Sequence, residues 1–146
     1  MALALAVFAG CKKEKSTHEK LCGEWRLDNE QVALYVGFYW DNTFEEYMMG
    51  ADGQYELRCG KWQLDGNVLS GTYNDSEPWA YTYQLSFSGE TLKMVSVEGE
   101  ASENKYIRKE IPEAVKEHCK TVVKSVSAER SVSVEKSVSA DVKGWF

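Results

Sequence analysis

Trp79-Ala80-Tyr81-Thr82-Tyr83-Gln84-Leu85-Ser86-Phe87 decides the fold. Apart from small or polar intervening residues, every second position is bulky and apolar or aromatic. A helix would scatter that set around its circumference, whereas a strand sends alternate side chains to opposite faces and gathers it on one. The same period recurs upstream, where Leu21, Gly23, Trp25 and Leu27 alternate with Cys22, Glu24, Arg26 and Asp28. Working outward gives eight strand-like runs, at 21–28, 32–40, 43–49, 54–65, 68–73, 79–87, 91–97 and 105–109. Their separators are turn formers, among them Asp41-Asn42, Asp52-Gly53, Asp65-Gly66-Asn67, Asn74-Asp75 and Ser88-Gly89-Glu90. Asp-Gly and Gly-Asn favour the positive φ of tight hairpins. Eight short strands in a hairpin meander predict an all-β, eight-stranded up-and-down antiparallel barrel, because closure removes the unpaired edges.

Within the fourth run Tyr55, Leu57 and Cys59 share one parity, Trp62 and Leu64 hold the other, and Gly60 lies between. A glycine at a change of phase predicts a β-bulge at Gly60, where a barrel strand turns a corner. On that reading Cys59 points inward. After the last run Pro112 opens one C-terminal helix, since its missing N–H costs little there. Ile111, Val115, Cys119 and Val122 fall on one face of it, which is expected to dock against the outside of the barrel. Cys22 has the parity opposite to Trp25 and so faces outward, and the expected disulfide joins Cys22 to Cys119. Residues 125–142 form three Ser-rich hexads, expected as a mobile low-complexity tail rather than an ordered strand. Beyond them Trp145-Phe146 is either a contact or an accident of the terminus.

At the other end, Ala2 to Gly10 is apolar or small, and the sequence turns abruptly charged at Lys12-Lys13-Glu14-Lys15. That is the layout of a secretory apolar stretch meeting its cleavage site. Phe8-Ala9-Gly10-Cys11 resembles a bacterial lipoprotein signal, and the resemblance implies cleavage before Cys11 and lipid attached to that cysteine. The expected organisation is a signal peptide over 1–10, a tether over 11–20, a barrel plus helix over 21–124 and a tail over 125–146. The membrane is then a partner through the N-terminal lipid. The expected location is the cell envelope, at the outer membrane, with either its periplasmic or its surface face open.

Four segments carry a second resemblance: Gly23-Glu24-Trp25 at the head of the first strand, Gly60-Lys61-Trp62 with Asp65-Gly66-Asn67-Val68-Leu69, Ser88-Gly89-Glu90-Thr91-Leu92, and Tyr106-Ile107-Arg108 in the last strand. Over about residues 21–109 they resemble the small lipocalin-like lipoproteins typical of Bacteroidetes. The resemblance implies that Trp25 plugs the closed end of the barrel beneath Arg108, a cation–π pair with a structural role.

Composition narrows the function. A net charge of −6 leaves no basic stripe for nucleic acid. Four cysteines and two histidines show no Cys-x-x-Cys or Cys/His spacing, so no metal is expected. Glu45-Glu46 is not a catalytic carboxylate pair, because neighbours on a strand face opposite ways. His18 lies in the tether and His118 on the helix, neither with a partner nearby in sequence. There is no phosphate loop or nucleophile elbow, and neither an enzyme nor a cofactor is expected. The aromatic set is less neutral. Trp40, Phe44, Tyr55, Trp79, Tyr81 and Tyr83 are the candidate ligand-binding residues of a barrel that either fills its interior or holds one small guest. Two function classes follow. One is an envelope lipoprotein binding a small apolar or amphipathic ligand. The other is a non-enzymatic interaction or structural lipoprotein with a filled barrel, such as an inhibitor of an envelope-directed enzyme.

Overall fold

The computed structural model describes residues 15–99, 102–122 and 144–146. The expected signal peptide, the lipidation site at Cys11 and the hexads of 125–142 lie outside the described residues. A short helix α1 (Thr17–Leu21) leads into β1 (Gly23–Leu27), β2 (Leu34–Phe38), β3 (Thr43–Met49), β4 (Tyr55–Asp65), β5 (Val68–Tyr73), β6 (Tyr83–Ser88), β7 (Thr91–Ser96) and β8 (Glu103–Arg108). A second helix α2 (Glu113–Glu117) and a two-residue β9 (Lys120–Thr121) follow. The eight long strands run β3-β2-β1-β8-β7-β6-β5-β4, and pairing of β3 with β4 closes the ring. All pairings within that ring are antiparallel. β9 joins the outside of the ring in parallel with β4 at Glu56 and Leu57.

Strand polarity separates two ends. The tight turns at 39–42, 66–67 and 89–90 gather with α1 at one end, the floor. The longer connections 28–33, 50–54, 74–82 and 97–102 surround the other, the mouth. Part of the expected tether is therefore helix. Ser16-Thr17-His18-Glu19 is a capping box in sequence, and the Ser16 hydroxyl accepts the Glu19 N–H at 3.2 Å. The floor is built on Trp25, which is fully buried and donates its indole N–H to the Leu21 carbonyl at 2.9 Å. Trp25 and Arg108 are register partners across β1 and β8, and the guanidinium lies 4.2 Å from the indole centroid. Arg108 also donates to the Lys20 carbonyl at 2.8 Å and the Cys22 carbonyl at 3.2 Å, and pairs with Glu90 at 3.3 Å. Gly23 has φ +136°, and a Cβ there would strike the Arg108 guanidinium.

β4 corrects the expected bulge. Its burial alternates without a break, with Glu56, Arg58, Gly60 and Trp62 inward. Its register is continuous, from Met49↔Tyr55 to Thr43↔Lys61 on β3 and from Gly60↔Tyr73 to Asp65↔Val68 on β5. Gly60 is instead an inward position with no space. A Cβ would sit 2.7 Å from the Phe44 ring and 2.8 Å from the Tyr73 Cα. Tyr55, Leu57 and Cys59 face outward because the outer surface is covered. Ile111 and Val115 pack over Tyr35, Tyr47, Tyr55 and Leu57 in a second apolar layer outside the barrel.

That layer also corrects the expected Cys22–Cys119 disulfide. Cys22, Cys59 and Cys119 are free thiols. Cys119 belongs to the outer layer, while Cys22 packs on the main core at the floor, its sulfur 3.6 Å from His18 Nδ1. Lys116 of α2 pairs with Glu24 of β1 at 2.8 Å, but the apolar side of this segment, with Cys119, packs over Tyr35, Tyr47, Tyr55 and Leu57 of β2–β4, whereas Cys22 packs on the main core at the floor.

Trp25→Ala is expected to cost about 3–5 kcal/mol in urea unfolding, the range for a buried aromatic truncated in a packed core. A loss below about 1 kcal/mol would show that the floor does not rest on this residue.

Candidate functional site

The interior above the floor is lined from several strands. Phe38 ends β2, Phe44 is the second residue of β3 and Tyr83 begins β6, while Trp79 comes from the 74–82 connection. All four are buried. Phe44 meets Trp79 edge-on with ring centroids 5.1 Å apart, and Trp79 meets Tyr83 at 6.2 Å. Of the six expected ligand-binding residues, the structure brings Phe44, Trp79 and Tyr83 together here.

The other three lie elsewhere. Trp40 is 65% exposed at the floor, against the ring of His18 at 4.7 Å. Tyr55 sits in the outer layer, 6.1 Å from Tyr35. Tyr81 is 44% exposed. The sixth run was expected to be one strand from residue 79, but β6 begins only at Tyr83. Residues 79–82 lie outside β6, bridged only at their ends, by the Trp79 N–H to the Gly71 carbonyl at 2.9 Å and by the Val97 N–H to the Thr82 carbonyl at 2.9 Å, so the strand parity of β6 does not carry through to Tyr81. Phe38 was passed over because all of β2 is buried, which erases alternation as a signal.

The interior is also polar, which apolar patterning did not reveal. Glu46 is fully buried on the same face of β3 as Phe44, and its register partner on β4 is Arg58. Arg58 is buried and pairs with Glu56 at 3.0 Å. The Tyr73 hydroxyl donates to Glu46 Oε2 at 3.2 Å. Burial pushes the Glu46 carboxyl up to about 7, against the opposing pull of the Trp145 N–H, the Arg58 charge and Tyr73. Burial, and then the Glu46 charge, push the Tyr73 hydroxyl upward as well. One sequence signal pointed here: Glu46 shares the parity of Phe44 in a regular strand.

Into this interior comes a segment from far along the chain. Phe146 is only 3% exposed and its ring stacks on Trp79 at 4.4 Å and 22°. Phe38 at 6.2 Å, Phe44 at 6.0 Å and Tyr83 at 6.1 Å complete the enclosure. The Trp145 N–H donates to Glu46 Oε1, and the Phe146 N–H donates to the Tyr73 hydroxyl at 3.2 Å. The Phe146 carbonyl accepts the Ala80 N–H at 3.3 Å. Gly144 passes so close that a Cβ would lie 2.8 Å from Glu46 Oε2 and against the Tyr73 hydroxyl. Trp145-Phe146 is thus a contact, made with the barrel interior.

The chain is similar to a lipocalin-like protein from Bacteroides uniformis, at 18% identity and a TM-score of 0.49, over 62% of this chain and 99% of that one. It is also similar to an uncharacterised protein from Bacteroides eggerthii, at 16% identity and a TM-score of 0.47, over 61% of this chain and 99% of that one. No protein-family model and no curated protein matches the sequence.

The raised carboxyl of Glu46 carries a sign. Between the ordinary value of 4.5 and about 7, the folded chain holds a proton that the unfolded chain has released. Stability from this group is therefore full below 4.5 and is lost as pH rises through about 7. Melting temperature measured from pH 4.5 to 8 is expected to fall more in the wild type than in Glu46→Gln, which keeps the acceptor and removes the charge. Parallel curves would show that Glu46 titrates normally.

Proposed function

We propose that this chain is a lipid-anchored protein of the cell envelope, at the outer membrane, whose barrel binds a small apolar or amphipathic ligand. The observation that carries the ligand reading is the seat of Phe146, a side chain from outside the eight-stranded sheet enclosed by aromatic rings within it. An interior that accepts a foreign ring beside a buried carboxylate has the layout of a small-molecule site, with apolar walls and a few placed polar groups. Trp79 comes from a connection at the mouth rather than from the ring of strands, and its indole forms one wall of the seat.

The anchoring reading rests on the Phe8-Ala9-Gly10-Cys11 junction. The four residues Lys12–Lys15 between Cys11 and Ser16 reach at most roughly 18 Å when extended. A lipid on Cys11 would then hold the floor toward the membrane and leave the mouth turned away from it. The reading uses no catalytic residue, no metal and no nucleic acid.

Cys11→Ser is expected to move the protein from the membrane to the soluble fraction, and unchanged fractionation would remove the anchor from the proposal. Titration with the apolar fluorophore N-phenyl-1-naphthylamine is expected to give saturable fluorescence, weakened in Trp79→Ala. Native mass spectrometry of protein from its own host is expected to show a retained mass that denaturation releases.

A further inference from the structure

The way residues 144–146 are held differs from the way a core residue is held. Their main chain joins no strand. Its N–H groups are taken by the Glu46 carboxylate and the Tyr73 hydroxyl, and its carbonyl by the Ala80 N–H. These are the contacts a protein makes to a bound peptide. The ring of strands closes through β3 and β4 without them. One polar atom in the site is left over: the Trp79 indole N–H is buried and has no hydrogen-bond partner among the described residues. A buried donor without an acceptor is a cost that this occupant leaves uncompensated. The 21 residues of 123–143 are long enough, at roughly 70 Å when extended, for the segment to leave the barrel without disturbing a strand.

We infer that Gly144-Trp145-Phe146 is a tethered occupant of the ligand site, displaced by guests of its own chemistry: a planar aromatic group carrying a nearby N–H donor. The inference rests on the ligand-binding reading above. The ring of such a guest replaces Phe146 on Trp79, and its N–H replaces that of Trp145 on Glu46. Guests that are purely aliphatic, or anionic beside Glu46, gain neither contact. Because the segment competes from within, the apparent affinity for any guest is lowered by the fraction of molecules whose site is already filled.

The test compares the full chain with its Trp145→Ala/Phe146→Ala variant, using N-phenyl-1-naphthylamine, a planar arylamine with one N–H. The variant keeps the main-chain N–H groups but loses the ring stacked on Trp79, and with this internal competitor weakened it is expected to bind at least about tenfold more tightly. Added acetyl-Gly-Trp-Phe-amide is expected to compete with the probe in the variant. Equal affinities in the two proteins would overturn the tethered-occupant inference and leave the ligand reading standing. Binding by neither protein of probe or peptide, with the variant still unfolding cooperatively, would overturn the ligand reading and the inference with it. Should the variant not fold, hydrogen exchange on the wild type decides. The Trp145 and Phe146 amides are expected to lose protection as the probe saturates, and unchanged protection with probe bound would overturn the inference.

Discussion

The contact of Arg108 with Trp25 fixes the rest of this molecule. It joins the first and last strands of the ring, which are far apart in sequence, at directly paired positions. An indole alone would cover the floor by apolar burial. The guanidinium above it adds a charge that satisfies the carbonyls of Lys20 and Cys22, where the chain leaves α1 for β1. Helix, strand and closing strand are thereby held by one side chain. With the floor sealed in this way, only the mouth and the space beneath it remain to be shaped by function.

That space is shaped by an inversion along β3 and β4. In most two-faced strands the apolar residues face the core, but here both faces are covered. The outer face lies under α2, so Tyr47, Tyr55 and Leu57 find apolar partners outside the barrel. The inner face is then free to carry Glu46, Glu56 and Arg58. Buried charges of opposite sign offset one another's desolvation without removing it, which is why the Glu46 carboxyl remains raised. The interior thus sets a buried carboxylate beside aromatic rings, where a wholly apolar core would offer rings alone.

Glu46 and Trp79 hold the segment 144–146 at a main-chain N–H and at a ring, beside the main-chain bonds to Tyr73 and Ala80. Gly144 lets the segment pass close between Tyr73 and Glu46, where a Cβ would press on both side chains. Glu46 and Trp79 are also the groups that the proposed guest would use.

Alternation in Tyr83–Phe87, the turn residues between runs and Pro112 before α2 were enough to specify an eight-stranded meander followed by a helix, because strand period and turn chemistry are local properties of the chain. The Trp25–Arg108 floor was legible through the resemblance of its flanking residues. The capping box of α1 is written in the sequence at Ser16 and Glu19. What the sequence by itself did not decide was which face of β4 looks inward, since Tyr55, Leu57 and Cys59 are apolar enough for either side. Only the docking of α2, a contact between residues far apart in the chain, settled it and placed Glu56 and Arg58 inside. The seat of Phe146 is of the same kind. Nothing within the local pattern of Gly144-Trp145-Phe146 specifies a partner, and the enclosure exists only once Phe38, Phe44, Trp79 and Tyr83 have been brought from four separate parts of the fold to one interior.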